Sequence, residues 1–171
     1  MKKSTKKLTV AAVLCAATFV VMLVGSIFDV MDLSAAALAS FAVIFAVIEL
    51  GGAYPVLVWL VTSSAAMLLL PNKLPAIYFA LFFGYYPILK NVFERLNKIL
   101  CWVLKLTVFN AALAAVCALS AFFVGAEQEV LTVTPWLFLI GTPVFVMYDI
   151  ALTKVIFSYM RVWKHKYKMK I

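Results

Sequence analysis

Apolar residues run through this chain in long blocks, and polar residues gather in the gaps between them. A helix needs roughly 20 residues to cross the hydrocarbon layer. At that length the blocks predict six helices, at about 8–28, 34–50, 53–70, 75–96, 99–124 and 134–160. Punctuation supports the boundaries. Pro71-Asn72 ends the third block, and Pro75 suits the first turn of the fourth. Gly125 stops the fifth, and Thr134-Pro135 offers the sixth a cap followed by a proline. No internal repeat or low-complexity linker divides the sequence. The pattern therefore predicts an all-α bundle, a single integral membrane domain over residues 1–171.

Composition agrees with this reading. Hydrophobic residues make up 67%, charged residues 13%, and the mean hydropathy is +1.10. A soluble domain carries about half apolar and a quarter charged residues. The start MKKSTKKLTVAAVLC tests as a signal peptide, but its apolar run is long and no small-x-small cleavage site follows. It reads as a retained first helix.

The net charge of +8 changes the picture only through its distribution. Basic residues gather at Lys2, Lys3, Lys6 and Lys7, between Lys90 and Lys105, and from Lys154 to Lys170. Clusters beside apolar blocks are what membrane topology requires, and no nucleic-acid motif accompanies them. With the N-terminus in the cytoplasm, every Lys and Arg except Lys73 lies in or near a cytoplasmic segment. Six helices with both termini inside is the topology that this bias predicts.

Candidate chemistry is sparse. Cys15, Cys101 and Cys117 form no CxxC pair and read as small packing residues. The single histidine, His165, lies in a basic, aromatic tail suited to an anionic membrane surface. GxSxG, HExxH, Walker A and GxGxxG patterns are absent, so neither an enzyme nor a metal or organic cofactor is predicted.

Ionisable residues inside or beside the helices are Glu49, Lys90, Glu94, Lys105, Asp149 and Lys154. Charges in hydrocarbon are costly and pair or line cavities. Lys105 lies about 6 residues into helix 5, and Asp149 about 10 from the end of helix 6. Their depths differ by about 6 Å, within reach of a snorkelling lysine. Lys105–Asp149 is thus a candidate ion pair. In the alternative, Lys105 snorkels and Asp149 pairs with Lys154. Within LFFGYYPILKNVFERL, Pro87 removes a backbone bond and bends the helix. Lys90, Glu94 and Arg95 read there as an exit anchor at the cytoplasmic headgroups.

The outer half offers Asp29, Asp32, Asn72, Lys73, Glu127, Gln128 and Glu129 in loops, with Tyr78 and Trp136 opening the neighbouring helices. Thr62, Ser63, Ser64 and Asn110 lie nearer mid-membrane. Together these are candidates for a small-molecule pocket. The alternative is a set of solvated loops beneath an aromatic belt. Ala12 and Ala16 stand four apart in helix 1, and SAAALAS (34–40) forms a second small-residue face. Small residues at this spacing let helices approach closely in lipid.

Six helices, both ends inside, and the AxxxA stripe after KKLTVAAVL resemble the S component of an energy-coupling-factor (ECF) transporter. GGAYPVLVWLVTSSAAMLLLP followed by YFALFFGYYPILK is similar in layout to that family's third and fourth helices. The resemblance implies a bacterial plasma-membrane subunit that captures a vitamin or metal ion near the outer face. It implies docking through Ala12 and Ala16 on a transmembrane coupling subunit served by two cytoplasmic ATPases. The start MKKST lacks the Met-His beginning of nickel and cobalt S components, and no substrate signature stands out. Two other functions fit the residues: a structural or assembly protein of the membrane, and a proton-coupled carrier using Asp149.

Overall fold

The computed structural model describes residues 2–28, 31–94, 96–124 and 135–163, and among them every regular element is helical. Helix α1 is Lys2–Ile27 and α2 is Asp32–Leu50, whose last turn, Ala46–Leu50, is a π turn. Helix α3 is Tyr54–Leu69. Helix α4 is Leu74–Phe93, interrupted by a π turn at Phe79–Phe83. Helix α5 is Lys98–Val124, and α6 is Pro135–Ser158 extended by a π turn at Tyr159–Trp163.

Five of these helices, α1, α2, α4, α5 and α6, are long and apolar enough to cross a membrane. Helix α3 differs from the expectation of a sixth full span. Its 16 residues reach about 24 Å, short of a hydrocarbon layer of about 30 Å. Its ends explain the length. The chain enters through Gly51 and Gly52, both at positive φ (60° and 59°), and leaves at Leu70. That residue precedes Pro71 and is extended, with φ −72° and ψ 137°.

Helix α1 begins earlier than the apolar pattern suggested, because its lysines find work in the fold. Lys7 Nζ donates to the Leu50 carbonyl at 2.9 Å, covering the C-terminus of α2. The same ammonium lies 5.9 Å from the centre of the Tyr54 ring. The small face of α2, with Ala36, Ala39 and Ser40 fully buried, packs between α1 and α4.

Helix α4 ends at Phe93, not near 96, and its interior is irregular for a local reason. Pro87 has no N–H to offer the Phe83 carbonyl. Regular bonding resumes with Ile88 and Leu89, which both donate to Tyr85 O at 3.0 and 3.1 Å. Upstream, Gly84 N–H donates to Phe79 O at 2.8 Å, five residues back, which closes the π turn. The Trp59 indole N–H of α3 donates to Ala80 O at 3.2 Å within that turn. A Cβ on Gly84 would stand against the Trp59 ring and only 2.8 Å from Phe79 O. Only glycine fits there.

Above the lysine-bearing end of α4, aromatic rings join three helices. Phe82 lies 5.1 to 6.0 Å, centroid to centroid, from Phe83, Tyr86, Phe109, Phe145 and Tyr148. Phe109 of α5 and Phe145 of α6 stack at 4.6 Å. Tyr148 OH reaches Ser40 Oγ of α2 at 2.9 Å.

Replacing Gly84 with alanine is expected to cost about 1–3 kcal/mol, because Trp59 or the π turn must shift. A fluorogenic thiol dye reports the buried Cys101 and Cys117 as the purified protein unfolds in detergent. An unchanged unfolding midpoint for G84A would show that the turn has room to spare.

Candidate functional site

Tyr86 and Lys90 of α4 and Glu94 at its C-terminal cap follow one another at intervals of four, and so does the pair Asp149 and Thr153 on α6. Residues four apart share a helix face. In the fold these two faces meet, and Lys105 of α5 closes the third side.

Asp149 is the centre of the arrangement. Its Oδ1 accepts the Tyr86 hydroxyl at 2.6 Å and also the Lys90 ammonium, which forms an ion pair with it. Its Oδ2 accepts Lys105 Nζ at 2.8 Å. Lys90 Nζ donates further to the Asp149 backbone carbonyl at 3.0 Å and to Thr153 Oγ1 at 2.7 Å. The Thr153 hydroxyl itself donates to that same carbonyl at 2.8 Å. Glu94 Oε1 lies 3.4 Å from Lys90 Nζ and 3.9 Å from Lys105 Nζ.

Burial makes this network consequential. Lys90, Lys105 and Asp149 are 1%, 5% and 4% exposed, whereas the Glu94 side chain is 46% exposed. The three buried members carry a net charge of +1, and Glu94 neutralises it from the rim. Buried charges are tolerated only when paired and hydrogen-bonded, and each of the three is. Lys105 also lies 5.5 Å from the centre of the Trp102 ring, a favourable position for a cation.

Two expectations are corrected here. Lys90 is no exit anchor. It stands near the end of α4, but α6 runs on from Asp149 to Trp163, about 21 Å further at 1.5 Å per residue. The Lys90 side chain is buried because its ammonium turns onto Asp149 and Thr153 of α6, whereas Asn91, Val92 and Glu94 at the end of α4 stay exposed. Nor does Asp149 pair with Lys154: both carboxylate oxygens are taken by other donors, and Lys154 is exposed. Asp149 lies at the middle of the apolar span Phe138–Arg161. Tyr86 and Thr153 were missed. Their four-residue spacing from Lys90 and Asp149 was the signal that could have found them.

The opposite end of the bundle holds part of the outer set. Asp32 is the first residue of α2 and buried, not a loop residue. Its Oδ2 accepts Asn72 Nδ2 at 3.0 Å, and Asn72 Oδ1 accepts the Leu74 N–H at 2.9 Å, opening α4. Lys73 Nζ donates to Leu70 O at 2.6 Å and so caps α3. Tyr78 is partly buried against the core. Asn110 does not join them, since its Nδ2 donates to Leu106 O of its own helix at 2.8 Å. Trp136 is 68% exposed. Of the mid-membrane hydroxyls, Ser64 bonds back to Leu60 O at 2.8 Å, whereas Thr62 and Ser63 are buried. Asp29, Glu127, Gln128, Glu129, Arg95 and His165 lie outside the described residues. Among the described residues, no group of three His, Cys, Asp or Glu could hold a metal ion. Ala12 and Ala16 both face outward from α1.

Compared with known families, curated proteins and solved structures, the chain matches no family model, no curated protein and no solved structure.

Replacing Asp149 with asparagine leaves two buried ammonium groups with only Glu94 to balance them. D149N is expected to lose about 3–5 kcal/mol, the usual cost of orphaning a buried charge. Y86F, which removes one hydroxyl donor, should lose about 1 kcal/mol. The double variant K105M/D149N restores the charge balance and should be more stable than D149N alone, a coupling above about 1 kcal/mol. Thiol-dye unfolding of wild type, these three variants and the single variant K105M measures this. Simple additivity would mean that Lys105 and Asp149 do not depend on one another.

Proposed function

We propose that this chain is the solute-binding membrane subunit of an uptake system of the ECF kind. In this reading it lies in the bacterial plasma membrane with both termini in the cytoplasm. It captures a small micronutrient at the outer end and docks on a transmembrane coupling subunit driven by two separate ATPases.

The observation that carries the reading is the outward face of α1. Ala12 and Ala16 are exposed while the adjacent Ala11 is buried in the bundle. Small residues facing lipid at a four-residue interval leave room for a second helix to lie close. The polar groups around Asp32, Asn72 and Tyr78 supply a ligand end on the side away from the lysine network. In this reading ATP hydrolysis falls to the partners, in keeping with a sequence that carries no Walker A pattern.

A second reading has an observation of its own. Asp149 sits mid-span in a buried network with two lysines and a tyrosine, and ionisable groups at such depth mark proton pathways in carriers. A stand-alone proton-coupled carrier would use that carboxylate directly.

Co-expression with a coupling subunit and its ATPases separates the two. The wild-type chain should co-purify as a complex, and A12L/A16L should reduce complex recovery by about tenfold, because bulky side chains hold the helices apart. Normal assembly and uptake by A12L/A16L would refute docking through α1. Uptake that persists after ATP depletion but stops when the proton gradient collapses would replace the ECF reading with the carrier.

A further inference from the structure

The C-terminal half of α6 carries a feature that the buried network does not use. Thr153, Lys154, Phe157, Ser158 and Arg161 line an open groove of about 550 Å³, within the range of small-ligand sites. Lys154 and Arg161 are both exposed. Among the described residues, neither has a carboxylate within 4.0 Å. The cationic residues of the network are paired, whereas among the described residues these two have no carboxylate partner.

We propose that this groove holds the headgroup of an anionic phospholipid, its phosphate between Lys154 and Arg161. The groove presents what a phosphodiester recognises: two cations and the Ser158 hydroxyl, with Arg161 able to offer a forked donor. It also presents what an acyl chain needs, because Phe157 stands between the two charges and is 66% exposed.

Depth selects a lipid over a soluble phosphate. Arg161 ends the apolar span Phe138–Arg161, and Lys154 lies seven residues inside it, about 10 Å along the axis. A lysine at that depth extends toward the interface. A lipid phosphate is held at that level by its own chains, whereas a free ion must leave water to reach it. The groove also has a route to the network. Thr153 is shared, since its hydroxyl accepts Lys90 and donates to the Asp149 carbonyl. A bound headgroup would brace the stretch of α6 that holds the buried carboxylate.

The test uses the purified full-length chain in neutral detergent with equimolar phosphatidylglycerol and phosphatidylcholine. Native mass spectrometry counts the lipids that each variant retains. Wild type should keep one phosphatidylglycerol in clear preference to phosphatidylcholine. K154Q/R161Q should lower that preference about tenfold, given the attraction of each basic residue for an anionic lipid surface. K98Q, which removes an exposed lysine at the start of α5, should leave it unchanged. Thiol-dye unfolding confirms that the variants remain folded. Undiminished retention by K154Q/R161Q overturns the proposal. So does an equal loss in K98Q, which would indicate diffuse attraction. Release of the lipid by 10 mM inorganic phosphate would make the site one for the soluble ion instead.

Discussion

A carboxylate held away from water at the middle of an apolar helix constrains everything around it. Asp149 stays charged at little cost only while Lys90 and Lys105 face it from two other helices and Tyr86 supplies a third donor. Those partners come from α4 and α5, so the ion network fixes how far these helices slide along α6 and how they rotate about their axes. Apolar packing in lipid is permissive in this respect, because a leucine is equally at ease against a neighbour or an acyl chain. Charge pairing is not. The phenylalanine and tyrosine shell around Phe82 then covers the network on its inner side and keeps water from competing for the same donors.

At the other end the polar residues are spent differently. Asn72 divides its amide between Asp32 and the first turn of α4, and Lys73 is committed to carbonyls at the end of α3. These bonds hold α2, α3 and α4 together where the chain turns. The two ends thus differ: one gathers two lysines around a buried carboxylate, and the other ties Asp32, Asn72 and Lys73 into hydrogen bonds where the helices turn.

Much of the architecture was legible because length and hydropathy speak directly to a bilayer. Five long apolar helices and their approximate ends follow from block length and from proline and glycine punctuation. The short reach of α3 was written in the same punctuation, in Gly51-Gly52 and Leu70-Pro71, but block length alone obscured it. Lys90 was misread because depth was judged from its distance to the end of its own helix. What buries it is its bonding to Asp149 and Thr153, partners that lie on another segment. Asp32 was misread for a related reason: its burial depends on Asn72, forty positions away.

The π turns were invisible to a periodicity of 3.6, and the one in α4 decides which faces meet. A wide turn takes in one extra residue, which rotates everything beyond it by about 100° relative to an unbroken α-helix. Without the π turn at Phe79–Phe83, Tyr86 and Lys90 would be turned away from Asp149. Such turns loosen backbone carbonyls from their usual donors, which lipid cannot replace. In two of the three π turns among the described residues, a side chain from another helix fills that need. Trp59 bonds Ala80 O in the turn of α4, and Lys7 bonds Leu50 O at the end of the turn in α2. The third joins the first, with Tyr159 OH of α6 donating to Glu49 of α2 at 3.2 Å. The irregular turn in α4 therefore sits where a neighbouring helix already supplies a donor, and the buried charge network depends on the register that this turn sets.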